Sequence, residues 1–225
     1  MSYLNSLLFG IYPYIAILIC LLGSWIRFDR EPYTWKASSS QLLRNKGMRL
    51  ASNLFHVGII FILAGHFVGL LTPQAVYHEF ISTENKQLLA MVSGGFFGLV
   101  CLVGIAMLLQ RRFTDPRIRA TSSTSDNLIL VLLFVQLVLG LLTIFASANH
   151  MDGSVMVQLG IWAQSIVTFQ ATKAAMAIES VSIIYKLHVF LGLTILLLVP
   201  FSRLVHVLSA PVWYLGRRYQ VVRQR

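Results

Sequence analysis

Five long apolar runs decide what this chain can be: roughly residues 4–26, 50–71, 88–109, 128–148 and 181–207. A helix crossing the hydrocarbon core of a bilayer needs about 20 mainly apolar residues, and each run reaches that length. Inside lipid, only helices and closed barrels satisfy their own backbone hydrogen bonds. The runs are continuous rather than alternating, which selects helices. Charged residues are only 12% of the chain and apolar ones 56%, about half the charge of a soluble domain. The first run has no basic leader and no small-residue cleavage site, so it reads as a retained span rather than a signal peptide. The expected fold is therefore an all-α integral membrane protein, one five-helix bundle over residues 1–225. A sixth run, 155–169, is shorter and carries Gln158, Gln164, Ser165 and Thr168. With Trp162 it is expected as a helix lying at the outer interface.

The net charge of +10 comes from 18 Lys and Arg against 8 acidic residues. In a chain this apolar, the excess is better explained by membrane topology than by nucleic acid. Arg27, Arg30, Lys36, Arg44, Lys46 and Arg49 join the first two runs, and Arg111, Arg112, Arg117 and Arg119 join the third and fourth. Arg203, Arg217, Arg218, Arg223 and Arg225 follow in the C-terminal end. Only Lys86, Lys173 and Lys186 fall on the opposite side. The expectation is an outer N-terminus, an inner C-terminus and a cytoplasmic tail over 208–225. The two cysteines, Cys20 and Cys101, sit inside apolar runs, and no C-x-x-C occurs. Neither a cysteine-ligated cluster nor a c-type haem is encoded.

Histidine placement carries the chemistry. His56 and His66 lie in the second run, His188 and His206 in the fifth, and none in the other three. Ionisable groups inside a membrane are costly and face a partner in the protein interior. The second and fifth runs cross in opposite directions, so His66 matches His188 toward the outer side and His56 matches His206 toward the inner side. Two imidazoles from facing helices at one level are what bis-histidine ligation of a haem iron requires. Two such levels imply two stacked b haems. The register is imperfect: ten residues between His56 and His66 rise about 15 Å, and eighteen between His188 and His206 about 27 Å. Tilt, a kink at Pro200 and the width of the haem must absorb the difference.

Gly58, Gly65, Gly69 and Gly192 lie near these histidines and leave room for a flat macrocycle, or serve ordinary helix packing. Arg203, Arg111 and Arg112 are candidates to hold the inner haem's propionates, and Lys186 the outer one's. A metal transporter would favour carboxylates within the spans, whereas the carboxylates here lie in loops or at span ends. His78 and His150 fall in outer loops and read as solvated.

The runs Tyr33-Thr34-Trp35, Leu50-Ala51-Ser52-Asn53-Leu54-Phe55-His56, Gly65-His66-Phe67, His150-Met151-Asp152-Gly153-Ser154 and Phe201-Ser202-Arg203-Leu204 resemble the gamma subunit of bacterial membrane-bound respiratory nitrate reductase. The resemblance covers essentially the whole chain, with Gln170–Ser180 the least similar stretch. It implies a dihaem cytochrome b anchored in the bacterial cytoplasmic membrane. His66 and His188 would hold the outer haem, and His56 and His206 the inner one. Menaquinol or ubiquinol would be oxidised on the outer side, where the family's quinol-binding lysine matches Lys86. Electrons would pass to an iron–sulfur beta subunit and then to a molybdenum-containing alpha subunit that reduces nitrate. Three other readings are open to the residues alone. A dihaem anchor of another respiratory oxidoreductase would look alike. A transporter would carry no haem, and a structural anchor would tolerate loss of all four histidines.

Overall fold

The computed structural model describes residues 3–36, 40, 43–149, 151–209 and 216. His150 and the tail arginines Arg217, Arg218, Arg223 and Arg225 lie outside the described residues. The seven principal helices are α1 (Tyr3–Arg30), α2 (Met48–Leu71), α3 (Thr83–Thr114), α4 (Thr124–Ala148), α5 (Ser154–Val167), α6 (Ala171–Ala177) and α7 (Ile183–Leu198). Five helical stretches are long and apolar enough to cross a membrane: α1 to α4 and Ile183–Phe201. Their outward faces carry Leu18, Phe61, Phe96 and Phe145 exposed, as expected where the surrounding solvent is lipid.

Local chemistry sets the ends. Ser82 accepts from Asn85 N (3.3 Å) at the start of α3, and Ser123 from Asp126 N (3.1 Å) at the start of α4. Each satisfies one of the orphan amides of a helix N-terminus. Between them, Asp115 accepts from Arg117 N and Ile118 N and receives Arg44 Nη1 at 3.0 Å. The guanidinium beside it holds the Asp115 carboxyl below its ordinary range.

α2 packs along α3 more extensively than any other pair. The reason is a pair of glycines. A Cβ on Gly104 would come 2.3 Å from Phe55 N, and one on Gly58 2.6 Å from Cys101 Cβ. The two backbones therefore nearly touch, as in small-residue membrane interfaces. α3 continues onto α4, α4 onto α7, and α7 onto α1. α2 and α7 close this arc yet have little direct contact with each other.

Two segments differ from the expectation of simple rods. α5 packs one face against the bundle: Trp162, Ala163, Ser165 and Ile166 are buried. Trp162 Nε1 donates to Phe9 O (3.0 Å), and Gln164 Nε2 donates to Leu70 O (3.0 Å). Gln164, one of the polar residues that made this run look unfit to span, satisfies carbonyls at the C-terminal end of α2. α6 accounts for much of the Gln170–Ser180 stretch. It packs on the first turns of α1, where Asn5 Nδ2 donates to Ala175 O (2.5 Å).

The second difference lies in the fifth span. After α7 the chain makes a tight 3₁₀ turn at Val199–Phe201, becomes extended at Ser202 (φ −127°, ψ 179°) and resumes as a 3₁₀ helix over Arg203–Ser209. Pro200 has no amide hydrogen to continue the ladder. Arg27 Nη1, from α1, donates to Pro200 O and Ser202 O, both at 2.8 Å. A half-buried cation of α1 thus satisfies the carbonyls that the break releases.

Replacing Gly104 with Ala is expected to cost about 1–3 kcal/mol, because the new methyl group meets backbone rather than a movable side chain. Detergent-denaturant unfolding of the purified chain measures it. An unchanged midpoint would show that α2 and α3 do not pack this closely.

Candidate functional site

The four span histidines gather in two pairs. The rings of His66 and His188 have centroids 6.1 Å apart at an interplanar angle of 39°. Those of His56 and His206 are 6.4 Å apart at 65°. The second pairing depends on the break at Pro200, which delivers His206 on the 3₁₀ segment rather than further along a straight α7. The apparent register error of the two histidine spacings disappears because the fifth span is not one helix.

The separations have a chemical meaning. A metal-bound imidazole nitrogen lies about 2 Å from its ion, and the ring centroid about 1.1 Å behind that nitrogen. Two imidazoles on opposite sides of one ion therefore have centroids about 6.2 Å apart. Both pairs match that distance. Among the described residues, no group of three or more His, Cys, Asp or Glu converges. Two imidazoles alone suit an ion whose remaining ligands come from a macrocycle, not a bare ion needing three or four protein ligands.

Three of the four rings are oriented by their own segment. His56 Nδ1–H donates to Ser52 O (2.7 Å), His66 Nδ1–H to Ile62 O (2.8 Å) and His206 Nδ1–H to Arg203 O (2.6 Å). This fixes the tautomer and leaves each Nε2 lone pair available to a metal. His188 is different: its Nδ1 is buried without a partner. Gln136 of α4 approaches it instead, with Nε2 3.5 Å from His188 Nε2 and donating to His188 O at 3.1 Å. The histidine pattern does not reveal Gln136. Its signal is a lone carboxamide inside an apolar run.

Space accompanies each pair. A cavity of about 490 Å³ lies between α2, α3, α4, α5 and α7, lined by His66, His188, Gln136, Trp162 and mostly apolar groups. That volume is within the range of small-molecule and cofactor sites. A smaller cavity of about 210 Å³ adjoins His56 and His206, and Arg111, Arg112, Arg203 and Asp126 line it. Phe55 and Leu133 border both. Gly94 has open space where a Cβ would be, and a Cβ on Gly140 would come 3.0 Å from His188 Cε1. Among the glycines singled out from sequence, Gly65 and Gly69 face open space, whereas Gly58 serves the contact with α3.

The candidate cations separate clearly. Arg112 and Arg203 face the single carboxylate of Asp126 at 3.9 and 4.0 Å, and with Arg111 they set three cations against one carboxylate on the lining of the smaller cavity. Arg111 lines it too, but donates to Ser40 O and Lys46 O. Lys186 donates to Glu179 O and does not border the larger cavity. Lys86 sits over the Tyr77 ring, 3.6 Å from its centroid, next to the cavity-lining Gln87 but not itself on the lining. His78 is hydrogen-bonded to Thr83 Oγ1 at 2.7 Å.

With this geometry in place, the relatives are informative. The family model described as nitrate reductase gamma subunit matches residues 5–225. The chain belongs to that family. It is 54% identical over 225 residues to the respiratory nitrate reductase 1 gamma chain of Escherichia coli (strain K12), covering 100% of both chains. To the respiratory nitrate reductase 2 gamma chain of the same strain it is 52% identical, covering 100% of this chain and 99% of the relative. The nitrate reductase gamma chain of Bacillus subtilis (strain 168) is 37% identical, with 98% and 99% covered. Family membership and the five apolar helices make this chain the membrane-bound subunit of a respiratory nitrate reductase.

Proposed function

We propose that this subunit is a dihaem cytochrome b that oxidises quinol and delivers the electrons to the catalytic part of the nitrate reductase. The observation that carries the reading is the double pair of imidazoles, each at the spacing of one iron and each, among the described residues, without further protein ligands. His66 and His188 would hold one haem, His56 and His206 the other. Bound there, the two groups would supply single-electron carriers stacked along the bundle. Arg112 and Arg203, with their surplus positive charge, would hold the propionates of the haem at the basic end.

The membrane orientation follows from the basic loops: His56 and His206 on the cytoplasmic side, His66 and His188 toward the outside. Quinol would therefore meet the far end of the bundle. Lys86, freed from the Tyr77 face, would donate a hydrogen bond to a quinol oxygen as its proton departs. Quinol gives up two electrons and two protons in becoming quinone. The protons would leave on the outer side, and the electrons would cross to the basic face, separating charge without a pump. An iron–sulfur beta subunit docked there would pass electrons to a molybdenum-containing alpha subunit, where nitrate is reduced to nitrite.

A pyridine haemochrome assay with a reduced-minus-oxidised spectrum is expected to give two b haems per chain, and one in a His66→Ala variant. A well-folded chain without haem would sink the reading. Lys86→Ala is expected to slow quinol oxidation about tenfold or more, as loss of a charge-assisted hydrogen bond does, with both haems retained. Wild-type turnover with a quinol analogue would remove Lys86 from the site.

A further inference from the structure

The dihaem reading leaves the carboxylates of the haem between His66 and His188 without a holder. The smaller cavity offers Arg112 and Arg203 for that purpose, but among the described residues the lining of the larger one carries no Lys or Arg. Lys186, close to His188 in sequence, is taken up by Glu179 O. What the larger cavity has instead is a hydroxyl pair. Tyr185 OH and Ser147 Oγ lie 2.7 Å apart, and both residues are on its lining. Tyr185 is the third residue of α7 and stands one turn before His188, so the two share a face of that helix. Ser147 is the last residue but one of α4. Gln87 Nε2, from the second turn of α3, donates to its carbonyl at 3.1 Å. Polar groups of three helices thus meet at the end of the bundle far from Arg112 and Arg203.

This pair has a hydrogen to give. With Ser147 O–H donated to Tyr185, the phenol hydrogen is left to Thr143 O at 3.3 Å, longer than O–H···O bonds usually run. Tyr185 is 6% exposed, and a hydroxyl so buried needs an acceptor. An ionised carboxylate is the strongest one, since O–H bonds to it are shorter and roughly twice as strong as neutral ones. Resting on the dihaem reading above, we propose that Tyr185, oriented by Ser147, donates its hydroxyl to a propionate of the haem held by His66 and His188. That haem is then anchored by neutral donors and the other by guanidinium groups.

The test uses the intact nitrate reductase complex in alkaline buffer, where a propionate stays ionised. Haem is counted by pyridine haemochrome and potentials are followed by optical titration. Propionate bending bands are read by resonance Raman spectroscopy with one haem reduced at a time. Tyr185→Phe removes only the hydroxyl. Both haems are expected to remain, with the propionate band of the His66–His188 haem shifted, its midpoint potential lowered and the other haem unchanged. The potential falls because a carboxylate left without its donor favours the oxidised iron. Ser147→Ala is expected to move both readouts the same way by less, and decides the matter alone if the phenylalanine variant does not assemble. Lys186→Ala is expected to move neither. The proposal is overturned if the hydroxyl deletions leave band and potential at wild type. It is equally overturned if Tyr185→Phe only raises KM for a quinol analogue, which would give the hydroxyl to the substrate. A wild-type complex with no haem at the His66–His188 pair would overturn the dihaem reading itself, an outcome that the haem count separates from the other two.

Discussion

The organising constraint is the separation between α2 and α7, which face each other across the bundle without packing together. An apolar bundle would ordinarily close such a gap, because dispersion contacts between helices are what hold it together in lipid. Here the remaining helices hold it open. The tight glycine-mediated seam between α2 and α3 fixes one wall, and α7 is fixed between α4 and α1. α5 adds a further wall at the far end through Trp162 and Gln164. At that end, Tyr185 also shares its hydroxyl with Ser147 Oγ at 2.7 Å, joining α7 to α4. The wall contacts are thus made elsewhere, and the gap is left to the imidazoles.

The break in the fifth span is what lets one gap serve two sites. A straight helix carrying His188 and His206 could match α2 at one level only. Pro200 ends the regular ladder, Ser202 extends the chain, and a 3₁₀ segment returns His206 toward His56. Such a break inside or near lipid exposes carbonyls, and lipid cannot satisfy them. Arg27 does, from the neighbouring helix, and its remaining donors reach Thr34. One arginine that reads from sequence as a topology signal is therefore also the reason that the second pair can form.

Much of this was legible in the chain. Spans announce themselves through length and hydropathy, since the bilayer imposes both. Histidine pairing followed from antiparallel crossing alone. What was not legible depended on contacts between distant segments. The 155–169 run reads as an interfacial helix because it is too short and too polar to span, and nothing local says that Gln164 will meet Leu70 O. Gly58 and Gly65 have the same residue type and similar surroundings in sequence, yet one forms a helix seam and the other faces open space. Lys86 and Lys186 are similarly placed in sequence near the far end, but Tyr77 and Glu179 O take them up, away from the cavity lining. Gln136 stood in the open, outside a pattern drawn only from histidines.

The two pairs sit in different electrostatic surroundings, and that difference gives the bundle a direction. Around His56 and His206, Arg111, Arg112 and Arg203 line the cavity against the single carboxylate of Asp126. Around His66 and His188, among the described residues, the cavity lining carries no other ionisable group than Tyr185 and Cys101, and no Lys, Arg, Asp or Glu. In a medium of low dielectric, uncompensated positive charge acts strongly over such distances. It lowers the energy of an added electron at the basic end relative to the far end. Haem propionates would offset part of that surplus, but they would do so at both sites, so the asymmetry persists. On the proposed reading, the same arginines that would set which end faces the cytoplasm would also favour electron arrival there. Topology and the sense of electron flow would then have one physical cause.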